Sequence, residues 1–363
     1  ASDDGSYTDT GSDKSVENIS YAFNSGNSIV GFPYRNTVID QNGDKVRESK
    51  FYYDNLASGP IDRGNQTKIE DWRAGATYRS SERTYNPFGL ITSETDPRGK
   101  VTNYAYESHD LYPSNITNSM GHVMQYEYDY VFGKIKKIID QNGFTYQTSY
   151  DGLGRVLSET IPDAYGTSVT KTLYTYTDIP NAVSVQKTDY LNDQNGVETY
   201  QYFDGLNRLV QERKEAEKVG TFNVRDIEYN NIGLVQSESV PYVGTSAGKT
   251  SPTGDTALYT TNVYDPLQRI SSVTNSVGIT TYGYDNWKTT VTDANSKQKN
   301  YYKDAYNNLI KVEEINGGAT YTTNYTWSLN NKLTNITDAL GNVRNFTYDG
   351  LGQRLTAEDL HNP

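Results

Sequence analysis

Tyr150-Asp151-Gly152-Leu153-Gly154-Arg155-Val156 is the stretch whose reading decides the fold. It returns as Tyr348-Asp349-Gly350-Leu351-Gly352-Gln353-Arg354-Leu355, and in decayed form at Phe203-Asp204-Gly205-Leu206-Asn207-Arg208-Leu209 and Tyr264-Asp265-Pro266-Leu267-Gln268-Arg269-Ile270. Tyr128-Asp129 opens a further copy. A signature repeated along one chain means a repeated structural unit, each too small to bury its own apolar face. The chain therefore reads as an array, not as an enzyme built around one pocket.

Tyr128 to Tyr150 spans 22 residues, Tyr264 to Tyr284 spans 20, and Trp327 to Tyr348 spans 21. Between the signatures lies a weaker motif, seen in Asp140-Gln141-Asn142-Gly143-Phe144-Thr145-Tyr146 and again from Asp338, Asp96, Asn118, Asn275 and Asp293. Each unit thus carries two turn signals. Asp and Asn start turns by bonding the backbone two residues on, and Gly supplies positive φ without strain. The intervening runs of Thr, Val, Ile, Tyr and Phe suit a pleated surface. Two strands of about five or six residues plus two turns fill about 20 residues, so one repeat is one β-hairpin. Aromatic pairs two apart, such as Tyr104/Tyr106, Tyr126/Tyr128, Tyr282/Tyr284 and Phe346/Tyr348, put both rings on one sheet face, from which cross-strand ladders are expected.

Hydrophobic residues make up only 34% of the chain and the net charge is −12, a combination found in disordered chains. The regular turns argue otherwise, and 33 Tyr against 9 Phe and 3 Trp provide apolar area that averaged scales score as polar. The expectation is an all-β, antiparallel sheet with a tyrosine-rich buried face.

The excess of 45 Asp+Glu over 33 Lys+Arg argues against nucleic acid as a partner, and Lys134-Ile135-Lys136-Lys137 reads as a solvated strand face. No apolar run approaches the ~20 residues that span a bilayer. Without cysteine there are no disulfides and no thiolate metal sites. His109, His122 and His361 have no metal-ligand spacing, and Glu313-Glu314 and Asp3-Asp4 read as solvated acids. The Asp-x-Asn-Gly runs at Asp40, Asp140 and Asp193 lack the later acidic positions of a calcium loop and read as turns. No nucleophile elbow or phosphate loop is present, so no catalysis, cofactor or metal is expected.

Residues 1–28 hold no repeat signal and read as a polar N-terminal segment or linker; 29–363 read as the array, cut within its last unit. Insertions are expected at about 160–172, 213–225 and 240–258. In the second, Arg213-Lys214-Glu215-Ala216-Glu217-Lys218 has helix-forming composition and predicts a short exposed turn or two of helix; the third reads as a long flexible loop.

The signature at Tyr150–Arg155 with its Asp140 approach, paired again over Asp338–Leu355, resembles the RHS/YD-repeat family over roughly residues 85–357. The resemblance implies a β-strip spiralling into a hollow shell in a secreted or surface-exposed bacterial protein, which encloses a C-terminal toxic domain or, in related animal proteins, serves adhesion. The residues that would carry the repeat are Tyr128, Asp129, Tyr150, Asp151, Gly154, Arg155, Asp204, Arg208, Tyr264, Asp265, Arg269, Tyr348, Asp349 and Gly352. The expected partners are the rest of the polypeptide, with its effector domain, or a companion shell subunit. The family's self-cleaving C-terminal core has no match; Asp265-Pro266 sits inside an ordinary repeat. The rival reading is a carbohydrate- or cell-surface-binding adhesion module, which would need its aromatic rings in solvent and its inserted loops free.

Overall fold

The computed structural model describes residues 15–163, 165–180, 182–191, 195–250 and 258–359, and the structural statements below concern these. They form 29 strands of one antiparallel sheet, with no helix among them. Two compact units divide the chain. One comprises the residues up to Asp110, Thr117–Gly121, and those from Tyr282 onward; the other comprises Leu111–Ile116 and His122–Thr281.

The first unit opens with β1 (Ser15–Asn24), β2 (Ile29–Asp40), β3 (Lys45–Tyr53), β4 (Gln66–Ala74) and β5 (Thr77–Tyr85), each paired antiparallel with the next. The presence of β1 corrects the expectation of a polar linker over 15–28: its Val16, Ile19 and Tyr21 register against β2, while residues 1–14 lie outside the described residues. In the second unit, the hairpin Thr145–Tyr150 with Val156–Pro162 sets the pattern, pairing Ser149 with Ser158 and Tyr150 with Val156. A register shift precedes Tyr150, and the same shift recurs before Tyr85, Phe203, Tyr229, Tyr264, Trp327 and Tyr348. These are β-bulges, which add local right-handed twist.

The turn chemistry explains the bulge. Gly154 N–H donates to Asp151 O at 3.0 Å and Asp151 N–H to Arg155 O at 2.9 Å, with Gly154 at φ +77°. That is a type I turn closed by a left-handed residue, the common longer hairpin connection. The left-handed place is filled by Asn207, Gln268, Ser296, Asn307 and Asn331 in other copies, so the geometry outlasts the glycine.

Little of the sheet is fully buried. Ala22, Tyr53 and Ile61, with Ile29, Tyr34 and Phe51 around them, make a small core in the first unit; Tyr128, Phe222, Val224 and Ile227 are the buried apolar residues described in the second. Along Gly278–Asp285, half-buried and exposed residues alternate strictly, as a two-faced strand requires.

Two of the expected insertions are ordinary repeat geometry. Val156–Pro162 and Ser168–Thr177 are joined by a turn in which Asp163 N–H donates to Thr167 O, so 160–172 holds no inserted loop. Arg213-Lys214-Glu215 is not helical: it ends the strand Leu209–Glu215, which pairs with Phe222–Tyr229. Strand alternation and tertiary bonding override a weak local helix propensity there. The 240–258 segment is not a free loop either. Tyr242–Gly244 adds a strand to Phe222–Tyr229, while residues 251–257 lie outside the described residues.

Candidate functional site

The site with the best claim to function is the repeated Tyr-Asp turn, and its Asp is the hinge of the design. Asp151 Oδ1 accepts the backbone N–H groups of Leu153 and Arg155, both at 2.9 Å, and Oδ2 accepts Arg155 Nε at 2.7 Å. Asp204 does the same for Leu206 and Arg208, and Asp265 for Leu267 and Arg269. Asp129 Oδ1 accepts from Val131 and Phe132, and Asp349 Oδ1 from Leu351 and Gln353. The Arg208 backbone N–H, with the Arg208 guanidinium beside it, holds the Asp204 carboxyl below its ordinary range.

The arginine then reaches the next repeat. Arg155 lies 4.1 Å from the Tyr176 ring and forks onto Asp178, and Arg208 lies 4.5 Å from the Tyr229 ring.

The tyrosine closes each unit onto its predecessor. The Tyr150 hydroxyl donates to Ile135 O (2.6 Å), Tyr176 to Val156 O (2.8 Å) and Tyr229 to Leu209 O (2.9 Å). Tyr53, Tyr85, Tyr106 and Tyr128 do likewise, each to a carbonyl 15 to 20 residues earlier. Tyr264 reaches Val235 O across the 240–258 excursion, and Trp327 uses its indole N–H on Leu309 O. Tyr348 is half-buried and registers against Arg354. Ring-on-ring contacts also occur, such as Tyr112 on Tyr128 at 4.6 Å, but the hydroxyl bond is what recurs. Its signal in the sequence was the ratio of 33 Tyr to 9 Phe, because a purely apolar ladder has no need of the hydroxyl.

Two buried polar clusters escape sequence reasoning. In the first unit, Glu48 is 1% exposed and accepts from Arg35 Nε (2.5 Å), Lys45 Nζ (2.7 Å) and the Tyr78 hydroxyl (2.5 Å). Burial alone would raise its pKa; the bonds from Lys45, Tyr78 and Arg35 outweigh that and bring it to about 2. In the second unit, Arg213 is fully buried and donates to Gln211 Oε1 (2.8 Å), Ser246 O (2.6 Å) and the Thr250 hydroxyl. Asp226 binds Gln211 Nε2 on one oxygen and the Tyr242 hydroxyl on the other, at 2.5 and 2.6 Å. Burial, then the Asp226 carboxylate, pushes the Tyr242 hydroxyl upward. The Tyr202 hydroxyl adds a bond to Ala247 O. Residues 242–250 are thereby pinned over the sheet. A cleft of about 360 Å³ beside them is bordered by Asp204, Arg208, Asp226 and Lys249, so it carries both signs of charge.

His109 and Glu107 meet at 2.9 Å on the surface, and His361 lies outside the described residues. Among the described residues no three His, Asp or Glu side chains are grouped to hold a metal ion. Titratable groups with displaced pKa values all move away from neutrality. Glu48 falls to about 2, and burial followed by a carboxylate neighbour pushes Tyr52 and Tyr104 up to about 12. At neutral pH Glu48 therefore stays ionised while Tyr52 and Tyr104 stay protonated.

The RHS Repeat family model matches residues 327–359. No curated protein matches by sequence. The fold is similar to the crystal structure of TcdB2-TccC3, with a TM-score of 0.81 and 13% identity over 95% of this chain and 25% of that one. It is likewise similar to TcdB2-TccC3-Cdc42 (TM-score 0.79, 12% identity, 95% and 27% of the two chains). The Photorhabdus luminescens Tc holotoxin pore is similar at TM-score 0.77 and 11% identity, over 95% and 27%. At such identities the likeness is one of fold. The chain spans about a quarter of the length of these structures' chains.

Proposed function

We propose that this chain, which matches the RHS Repeat model over residues 327–359 and shares the fold of the TcdB2-TccC3 structures, is a non-catalytic wall segment of an RHS-type β-shell that encloses or displays an effector domain. The observation that carries the reading is how the signature spends its polar groups. Asp151, Arg155 and the Tyr150 hydroxyl are all engaged within the sheet, on backbone or on the neighbouring repeat, and Asp204 with Arg208 and Asp265 with Arg269 repeat the arrangement. A motif used this way builds wall. The repeat residues from Tyr128 to Gly352 are accordingly structural in this reading, and the displacement of titrating groups away from neutrality supports a role without acid–base chemistry.

The similar structures join TcdB2 with TccC3, and one of them lacks a hypervariable C-terminal region. By analogy, the partners here are a further region of the same polypeptide or a companion shell subunit, in a protein secreted or displayed by a bacterium. The test is protease protection of the longest native polypeptide that carries this strip, expressed with its companion subunit if one is encoded. The effector region is expected to survive digestion in the wild type and to be lost when Asp151, Asp204 and Asp265 are all replaced by Ala. Equal digestion in both refutes enclosure, as does a native polypeptide with no further domain and no companion. Glycan-array binding at micromolar strength would replace the wall reading with the adhesion one.

A further inference from the structure

Three turns of this chain read Asp-Gly-Leu: 151–153, 204–206 and 349–351. Only the last is covered. Gly350 N–H donates to Arg73 O at 2.8 Å, although the two residues are far apart in sequence, and both belong to the first unit. Arg73 Nε stands 3.4 Å from Asp349 Oδ2, Arg79 donates to Gln353 Oε1 at 2.9 Å, and Asn330 donates to Val46 O at 3.2 Å. The tip of one hairpin therefore sits on the opposite, β4–β5 edge of another.

That contact gives a reason for the glycine. A Cβ on Gly350 would lie 2.6 Å from both Arg73 O and the Trp72 ring, far inside van der Waals contact. Gly152 and Gly205 occupy the same turn position without a left-handed φ, and a Cβ on either would meet nothing within 4 Å. Neither backbone conformation nor internal space calls for glycine at these two places. The apolar residue that follows tells the same story: Leu351 is half-buried, whereas Leu153 and Leu206 are each 74% exposed. The tips at Pro87 and Pro266 cannot copy the contact, since proline stands where the donating N–H is needed.

We propose that the Gly152-Leu153 and Gly205-Leu206 tips are docking points for the hairpin edge of another RHS-type strip, seated as Gly350-Leu351 is seated on Trp72-Arg73. The occupant presents a free carbonyl beside an aromatic ring. We assign it to a strip other than this one, because the Trp72-Arg73 edge of each copy is filled by its own Gly350 tip. At the open tips Asp151 and Asp204 keep their own Arg155 and Arg208, so the N–H and the leucine make the new contact; at the filled tip Gln353 replaces that arginine and Arg73 supplies the guanidinium from the receiving edge. The identity of the occupant rests on the wall reading, but the geometry does not.

Freeing the receiving edge tests this on the intact chain. Gly350→Glu expels the tip from Trp72-Arg73, and the edge is equally free if the last hairpin unfolds. In sedimentation velocity up to about 100 µM, where contacts below standard interface size still register, the wild type should run as a monomer and Gly350→Glu should shift to dimers and larger species. Adding Gly152→Glu and Gly205→Glu should return it to monomer, as should Trp72→Ala. A monomeric Gly350→Glu chain, or association undiminished by the added substitutions, overturns the docking proposal while leaving protease protection of the effector untouched. Failure of protection would conversely leave this result standing.

Discussion

Replacing Gly154 and Gly143 separately by Ala isolates two costs that are usually entangled. Both residues are left-handed, at φ +77° and +83°. At Gly143 an added Cβ meets nothing within 4 Å, whereas at Gly154 it would lie 2.8 Å from Phe132 Cδ1 and 3.1 Å from Cγ. Left-handed backbone costs an L-residue about 1–2 kcal/mol, and the stiffer unfolded chain of Ala returns about 0.4–1 kcal/mol, so Gly143→Ala should cost about 1 kcal/mol. Gly154→Ala adds overpacking of about 1–3 kcal/mol, for about 2–4 kcal/mol in all. Phe132 cannot simply swing away, because its ring also packs 6.5 Å from Tyr150. Urea titrations of the wild type, both single variants, Phe132→Ala and the Gly154→Ala/Phe132→Ala double variant would give the coupling directly. A coupling energy near 1 kcal/mol or more is expected, with Gly154→Ala relieved in the Phe132→Ala background. Equal losses at Gly143 and Gly154 with no coupling would refute the packing argument.

Glu48 should make stability depend on acid. Its folded pKa of about 2 lies below the ordinary 4.5, so its contribution is complete above about 4.5 and is lost as pH falls toward 2. At about 1.4 kcal/mol per pKa unit the effect is about 3 kcal/mol, and the gap in melting temperature between wild type and Glu48→Gln should close between pH 5 and 2; a constant gap would sink the assignment. Tyr176→Phe keeps the ring under Arg155 but removes the bond to Val156 O, and should cost about 1 kcal/mol in chemical denaturation. An unchanged midpoint would mean the hydroxyl clamp is incidental. Arg213→Met strands acceptors at Gln211 and Ser246, with an expected loss of about 3 kcal/mol and faster tryptic cleavage after Lys249. Cleavage at the wild-type rate would show that Arg213 does not hold the 242–250 segment down.

The repeat was legible because its determinants are local. Asp151 braces residues two and four ahead of it, and Gly154 turns the chain, all within five residues. Composition misled where order comes from a distance. Arg213-Lys214-Glu215 looks like an exposed helical turn, yet Arg213 is buried by Ser246 and Thr250, 33 and 37 residues on. The glycines and serines of 240–250 look loose for the same reason: what orders them is a guanidinium in another strand. Likewise β1 lacks the signature and is recognised only through its pairing with β2. The seating of Gly350 on Arg73 joins residues that no local rule connects.

The tyrosine hydroxyl that reaches back 15 to 20 residues has an evolutionary consequence. Each unit satisfies its recurring bonds on the units directly beside it, the tyrosine backward and the arginine forward, so a whole unit can be duplicated or deleted while its neighbours keep the same local chemistry. Gene-level expansion then changes length without redesign, and the ribosome can deliver the strip unit by unit. Only the seat of a tip on a distant hairpin edge, as at Gly350, is sensitive to the count, and it is there that selection on repeat number would act.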